Sequence, residues 1–214
     1  TIAERATRLA AVAERNVAGE LPVYVIGTEV PVPGGALEVV EHLQVTAANA
    51  AREVVAIHKA AFVRAGIGSA FDRVVGLVVQ PGVEFGNENV VAYDPAGARE
   101  LVGVLDQLPM LFEAHSTDYQ TPAALAALVR DGFAILKVGP GLTFALREAL
   151  YGLDHIADQL FGPRQETLRG AMEGVMLANP KHWESYYPGD AAHQKLQRHF
   201  SFSDRIRYYW ADGA

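Results

Sequence analysis

Four short apolar runs divide the first two thirds of the chain, and each of them ends in polar residues. They cover residues 23–28, 74–79, 110–114 and 133–138. Apolar runs of this length predict buried β-strands. Segments with helical periodicity lie before, between and after these runs. They cover about residues 1–18, 46–65, 95–105, 122–132 and 142–160, and further helices follow from residue 164. Strands that alternate with helices predict an α/β fold with parallel strands.

Typical capping residues flank the predicted helices. Thr1 and Glu4 have the spacing of a capping box, and Asp94-Pro95 and Thr121-Pro122 place a cap before proline at the first helical position. Thr46 is predicted to cap the second helix. Glycine follows the predicted helix ends at positions 19, 66 and 132.

The polar strand ends favour a TIM (β/α)8 barrel over a small doubly wound sheet, because a barrel collects such loops on one face. Four strands cannot close an eight-stranded barrel, so two edges would remain exposed. We therefore expect residues 1–214 to form a single but incomplete TIM-barrel-type domain, with β/α units over 1–163 and a helical tail over 164–214. The chain also begins inside a capped helix without a methionine, so we expect it to be a piece that aggregates or associates with another half.

Composition narrows the functional classes. The chain has 214 residues, half of them apolar and a fifth charged, with a formal net charge of −7 and no cysteine. This excludes disulfides and thiolate metal sites and argues against a nucleic-acid surface. No apolar run reaches the length of a membrane span, so we expect a cytoplasmic protein without membrane contact. The sequence also contains no dinucleotide fingerprint, P-loop, zinc-protease motif or nucleophile elbow.

Ionisable side chains follow the predicted strands. Three glutamates lie at or beyond successive strand ends, His115 and Asp118 lie in the third loop, and Lys137 lies near the end of the fourth strand. The glutamates are Glu29, Glu84 and Glu113. Converging carboxylates and an imidazole can bind Mg, Mn or Zn, or can transfer protons next to a carbonyl group. Lys137 could form a Schiff base or pair with a carboxylate, and each carboxylate could instead cap a local helix.

Gly139-Pro140-Gly141 before Leu142-Thr143 has the composition of a phosphate-binding turn at a helix N-terminus. A purely structural turn is an equally good interpretation, because Pro140 has no N–H to donate.

Several of these segments resemble the non-catalytic subunit of D-tagatose-1,6-bisphosphate aldolase. They are YVIGTEVPVPGG at 24–35, VVQPGVEF at 78–85, EAHSTDYQ at 113–120, LKVGP at 136–140, LTFALREAL at 142–150 and SDRIRYYW at 203–210. The resemblance implies a TIM barrel related to class II aldolases, of which this chain supplies strands five to eight. It implies an accessory role in galactitol, N-acetylgalactosamine or tagatose catabolism, together with a metal-dependent catalytic subunit that cleaves tagatose bisphosphate. Members of the family are also described as sugar or sugar-phosphate 4-epimerases, so a metal-dependent epimerase is the alternative.

These considerations assign candidate roles to eleven residues. The catalytic candidates are Glu29, Glu113 and Lys137. The substrate-binding candidates are Gln80, Ser116, Asp118, Gly139, Gly141 and Thr143. The metal candidates are Glu84 and His115, for Zn, Mg or Mn. The expected partners are the catalytic aldolase subunit and a sugar phosphate, in a homo- or hetero-oligomer. We expect the aromatic residues of the tail to serve in packing or at an interface, and we assign no role to its histidines.

Overall fold

A computed structural model describes residues 1–27, 43–162 and 164–212 of the chain. The helices are α1 (Ile2–Asn16), α2 (Ala48–Arg64), α3 (Pro95–Val102), α4 (Pro122–Arg130), α5 (Pro140–Phe161), α6 (Leu168–Ala178) and α7 (Ala191–Phe200). The strands are β1 (Tyr24–Ile26), β2 (Val74–Val79), β3 (Glu84–Phe85), β4 (Val90–Val91), β5 (Leu111–Ala114) and β6 (Ile135–Leu136). None of the helices within these ranges is both long and apolar enough to cross a membrane.

The four predicted strands form one sheet. Its order in the described part of the chain is β1-β2-β5-β6, and every neighbouring pair is parallel. This confirms the α/β fold with four parallel strands, while closure into a barrel stays a prediction. The separate two-stranded ribbon of β3 and β4 was not predicted, because two-residue strands carry no periodic signal.

Contacts divide the described residues into two compact units. The first, here called the β/α unit, comprises residues 1–27, 43–84 and 91–137. The second, here called the helical unit, comprises residues 85–90, 138–162 and 164–212. Helix α5, grouped with the β/α units in the sequence analysis, therefore belongs to the unit that contains the tail.

The β/α unit has one apolar core on the helix-covered face of the sheet. Residues on this face follow the period of two along each strand, because successive side chains of a strand point to opposite faces. The core includes Ile26, Phe62, Leu77, Val79, Leu101, Phe112, Leu128 and Phe133. The residues between them in β2 and β5, such as Val78, and their neighbours Leu111 and Glu113, therefore lie on the other face of the sheet.

The helical unit has its own core of large side chains, which are Met172, Met176, Trp183, Tyr187, Ile206 and Tyr209. Tyr186 and Trp210 pack against it. This confirms the packing role expected for these aromatic residues of the tail.

Several predicted helix boundaries are confirmed. Thr1 and Glu4 form the capping box of α1, Asp94 accepts from two amides at the start of α3, and Thr121 caps α4. One prediction was wrong: Thr46 does not cap α2, which begins after Ala47 without a side-chain cap. The Thr46 hydroxyl instead accepts a hydrogen bond from the Gln80 amide at 2.8 Å. This bond orders the segment that follows β2 and satisfies a backbone donor there.

Helix α5 begins two residues earlier than predicted. Pro140 occupies its first helical position and Gly139 its N-cap, so the turn predicted at residues 139–141 is the cap and first turn of the helix. Proline suits this position because its missing N–H would have no partner within the helix.

Candidate functional site

Glu113 and His115 form a close hydrogen-bonded pair at the end of β5. Alternation along the strand places both side chains on the face that the helices do not cover. The Glu113 Oε1 and His115 Nε2 atoms are 2.8 Å apart. Their side chains are 11% and 14% exposed, so water only partly screens the interaction. Both residues were predicted as site candidates from the sequence, whereas the bond between them was not.

The second ring nitrogen of His115, Nδ1, has no hydrogen-bond partner among the described residues, and we call it open in this sense. Nδ1 is also buried. Because a carboxylate can only accept, we assign the Nε2 proton to the bond with Glu113, which leaves a lone pair on Nδ1. A carboxylate on one imidazole nitrogen orients the ring and makes the other nitrogen a better proton acceptor or metal ligand.

Lys137 lies beside this pair. Its Nζ is 3.8 Å from Glu113 Oε1, the same oxygen that binds His115, and its side chain is 59% exposed. The register explains the proximity, because Glu113 lies opposite Ile135 and Lys137 is two residues further along the same face. The structure therefore brings Glu113, His115 and Lys137 together at one strand end.

The loop after β5 contains backbone conformations that are unusual for side chains other than glycine. Ser116 has φ of 55° and Tyr119 has φ of 62°, both in the left-handed region. Such conformations cost of the order of 1 kcal/mol each and are frequent at functional sites. Asp118 in the same loop is only 4% exposed. The structure thus places two predicted substrate-binding residues, Ser116 and Asp118, in a constrained loop directly after His115.

Gln80 and Glu84 follow β2. The Gln80 Oε1 atom accepts hydrogen bonds from the amides of Gly82 and Val83, at 2.8 and 2.9 Å, so it shapes its own loop. Glu84 is half-buried and begins β3. The substrate role of Gln80 and the metal role of Glu84 stay predictions.

The described residues do not complete a metal site. They contain no group of three or more His, Cys, Asp or Glu side chains arranged to hold a metal ion. Glu29 lies outside the described residues. Among the described residues at this strand end, His115 Nδ1 is an unpartnered nitrogen that could serve as one ligand, and a divalent metal stays a prediction.

In the helical unit, the predicted phosphate-binding turn is joined to the C-terminal tail. Gly139 caps α5 and Gly141 lies in its first turn. The Thr143 hydroxyl is 3.1 Å from the Pro140 carbonyl and 2.5 Å from Asp204 Oδ2. Because this hydroxyl has one proton and two acceptors nearby, it serves the local structure first, and any ligand would meet its lone pairs.

A buried ion pair that the sequence analysis missed lies next to this turn. Arg147 Nε donates to Asp204 Oδ1 at 3.0 Å, and neither side chain is exposed. The guanidinium group also lies 4.2 Å from the centre of the Phe144 ring. No spacing rule could have revealed the pair, since its members are 57 residues apart in sequence.

His199, to which the sequence analysis assigned no role, belongs to a second buried network. Its Nε2 is 3.0 Å from Glu173, its Nδ1 is 2.7 Å from the Tyr151 hydroxyl, and Arg198 binds the same glutamate through two nitrogens. Burial lowers the pKa of His199 to about 4, although the Glu173 carboxylate opposes the shift. Burial also raises the pKa of Tyr151 to about 12. The network is therefore a neutral imidazole between a phenol donor and a carboxylate, which suits a structural connection of α5, α6 and α7.

Comparisons with known proteins identify the family. The family model described as "D-tagatose-1,6-bisphosphate aldolase subunit GatZ/KbaZ-like" matches residues 1–214. The chain belongs to the GatZ/KbaZ-like family. It is 57% identical over 215 residues to a protein of Agrobacterium fabrum (strain C58 / ATCC 33970) named D-tagatose 6-phosphate 4-epimerase. That match covers 98% of this chain and 51% of the relative.

A solved structure agrees with this assignment. The crystal structure of a probable tagatose 6 phosphate kinase from Sinorhizobium meliloti 1021 matches with a TM-score of 0.88 and 62% sequence identity. The match covers 98% of this chain and 50% of that chain. This GatZ/KbaZ-like chain thus spans about half the length of the relatives it matches.

Proposed function

We propose that the full-length protein is a sugar-phosphate 4-epimerase acting on D-tagatose 6-phosphate, and that this chain contributes His115 as its proton-transfer group. The observation that carries the proposal is the Glu113–His115 pair with its open Nδ1. A buried nitrogen without a partner costs stability, and at His115 it lies next to a carboxylate and an ammonium group that suit proton transfer. The 57% identity to a protein of that name supports the proposal.

Inversion at C4 of a 2-keto sugar can proceed by breaking and re-forming one carbon–carbon bond. Removal of the C4 hydroxyl proton allows the C3–C4 bond to break, and its electron pair moves to the C2 oxygen as an enediolate. Rotation of the resulting aldehyde and renewed attack by C3 invert C4, and the proton returns to O4. No atom is lost and nothing is oxidised or reduced. An aldolase breaks a bond of the same type, which connects this chemistry with the family description.

The three clustered side chains have distinct proposed roles in this sequence. His115 Nδ1 accepts the O4 proton and later returns it, as general acid–base catalysis requires. Glu113 orients the imidazole and offsets the positive charge that forms on it. Lys137 supplies positive charge toward the developing oxyanion.

We further propose that the four parallel strands are half of a (β/α)8 barrel in the full-length protein. The uninterrupted parallel order supports this, as does the fraction of its relatives' length that the chain covers. An eight-stranded barrel places the strand ends that carry Glu113, His115 and Lys137 at the face where TIM-barrel enzymes hold their active sites.

The test is turnover of D-tagatose 6-phosphate by the full-length protein and by matched variants. We expect His115→Ala to lower kcat by about 100-fold or more and Glu113→Gln by about 10- to 100-fold. His155→Ala, which removes an exposed histidine from α5, is the control and should leave kcat unchanged. Absence of turnover by the parent protein, or full activity of His115→Ala, would overturn the proposal. Metal analysis of each variant tests the role of Nδ1. If His115→Ala loses both a bound divalent cation and its activity, Nδ1 is a metal ligand instead of the base.

The second candidate is an accessory subunit of tagatose-bisphosphate aldolase, which the family description favours. In this case the full-length protein would bind a separate catalytic subunit in the cytoplasm, and turn 139–143 would retain a sugar phosphate without reaction. Mixing the two proteins should then raise the activity or the thermal lifetime of the catalytic subunit. No change at a saturating ratio, together with turnover by this protein alone, would decide for the epimerase.

A further inference from the structure

Thr117 is a buried loop residue that none of the preceding roles uses. It is 1% exposed. Its hydroxyl donates to the carbonyl oxygen of Lys137 at 2.9 Å, and its backbone N–H points to the same oxygen at 3.3 Å. The Lys137 carbonyl, directly after β6, therefore accepts two hydrogen bonds from Thr117 in the loop after β5.

Together with a third hydrogen bond, these two bonds tie the backbone on either side of His115 to Lys137. We call this set of three hydrogen bonds the bracket. On the N-terminal side of His115, the Ala114 carbonyl accepts from the Lys137 amide at 2.9 Å. On its C-terminal side, Thr117 donates to the Lys137 carbonyl. Only His115 and Ser116 lie between the two anchors, and the left-handed conformation of Ser116 closes the turn between them. The backbone of His115 is thus fixed at both ends to a single residue of the neighbouring strand.

The same bracket fixes the position of Lys137. Both its amide and its carbonyl are engaged, so its side chain starts from a defined point and reaches Glu113 Oε1 at 3.8 Å. His115 approaches that oxygen more closely, at 2.8 Å. The bracket therefore holds the backbone of the two residues, His115 and Lys137, whose side chains approach the same carboxylate oxygen.

We propose that Thr117 is a positioning residue, whose hydroxyl holds His115 in the orientation that keeps Nε2 on Glu113 and Nδ1 open. The expected effect on kcat rests on the proposed epimerase function. The expected effect on the orientation of the His115 ring does not. Loss of the hydroxyl would leave the weaker N–H contact and loosen the loop, so that the imidazole samples other orientations.

Thr117→Val in the full-length protein removes the hydroxyl and keeps the branched shape of the side chain. We expect kcat to fall by about tenfold, which corresponds to about 1.4 kcal/mol in the barrier, with KM changed by about twofold or less. Thr117→Ser restores the hydroxyl and should recover kcat to within about threefold of the parent. Thr121→Val is the matched control, because it removes a threonine hydroxyl that only caps α4. It should lower the melting temperature and leave kcat unchanged.

A spectroscopic measurement separates positioning from activity. Nitrogen NMR of histidine-labelled, EDTA-treated protein without substrate reports which ring nitrogen of His115 carries the proton, with assignment by His115→Gln. We expect a single Nε2–H tautomer in the parent and in Thr117→Ser, and a mixture in Thr117→Val. An unchanged tautomer in Thr117→Val would overturn the inference, and so would equal kinetic loss in the Ser and Val variants. If the parent shows no turnover, the epimerase proposal fails while the NMR comparison still decides the role of Thr117.

Discussion

In the β/α unit, the Glu113 carboxylate holds an imidazole whose other nitrogen has no partner in the described part of the chain. In the helical unit, the Asp204 carboxylate uses both of its oxygens, one for Arg147 and one for Thr143. Both carboxylates are buried, at 8% and 2% exposure. They differ in what surrounds them, since the exposed ammonium group of Lys137 lies beside Glu113, whereas the guanidinium group of Arg147 is entirely buried.

This difference distinguishes a site from a structural connection. A buried polar group that binds only protein atoms stabilises one arrangement of the chain, and its removal leaves an uncompensated charge. A group with an open atom costs stability unless something binds there. Both clusters contain a buried nitrogen without a partner among the described residues, His115 Nδ1 and Arg147 Nη2. The two carboxylates are therefore distinguished by the exposed ammonium group beside Glu113 and by the use of both Asp204 oxygens within the protein. This distinction makes three predictions for stability.

The largest expected effect concerns the buried ion pair of the helical unit. Asp204→Ala removes the buried carboxylate from Arg147, whose remaining ionic partner is the half-exposed Glu148, and should lower the free energy of unfolding by about 3–5 kcal/mol. Arg164→Met is the matched control, because it breaks ion pairs with Asp154 and Asp158 in which the arginine is 34% exposed. It should cost about 1 kcal/mol or less. Urea denaturation of the full-length protein measures both, and equal losses in the two variants would contradict the assignment.

A smaller effect concerns the acid stability of the helical unit. The pKa of His199 falls to about 4 in the folded protein because burial disfavours the imidazolium ion, whereas it is about 6.5 in an unfolded chain. The unfolded state therefore takes up the proton first, and stability present above pH 6.5 is lost as the pH falls toward 4. We expect a loss of about 2 kcal/mol between pH 6.5 and 5.

The variant His199→Gln isolates this contribution. It keeps a hydrogen-bonding side chain but cannot take up a proton in this range, so the pH dependence of its unfolding should be flatter by that amount. Glu173 does not interfere with this measurement. The hydrogen bond from Arg198 lowers the pKa of the Glu173 carboxyl, so the effect of Glu173 on stability occurs at a lower pH than that of His199. Parallel curves for the parent and His199→Gln between pH 7 and 5 would refute the prediction.

The two units also differ in how far sequence could predict them. The four strands and the candidates Glu113 and His115 at the end of β5, though not the bond between them, followed from local patterns, because alternation and strand ends are encoded within a few residues. The pairs of Arg147 with Asp204 and of His199 with Tyr151 join residues 57 and 48 positions apart, so no local pattern encodes them. Thr46 was misassigned for a related reason, since its hydroxyl accepts from the backbone N–H of Gln80, 34 residues away, instead of capping its own helix.

The smallest expected effect tests the backbone in the two units. Ser116 and Asp204 both have left-handed conformations, with φ of 55° and 43°. Glycine adopts this conformation without the steric cost that a side chain incurs, although it also loses more entropy on folding. Ser116→Gly should therefore change the free energy of unfolding by only about 0.5 kcal/mol, in either direction.

Asp204→Gly provides the comparison. It relieves the steric cost of the same left-handed conformation, and it also removes the carboxylate that binds Arg147 and Thr143. We expect it to cost about 3 kcal/mol, nearly as much as Asp204→Ala, since the loss of the buried ion pair with Arg147 outweighs the relief of strain. Urea denaturation of the two glycine variants under one condition gives the difference directly. A Ser116→Gly loss as large as that of Asp204→Gly would mean that the loop after β5 is a structural connection like the one in the helical unit. A small loss accompanied by a lower kcat would instead mean that Ser116 retains its side chain for the orientation of His115.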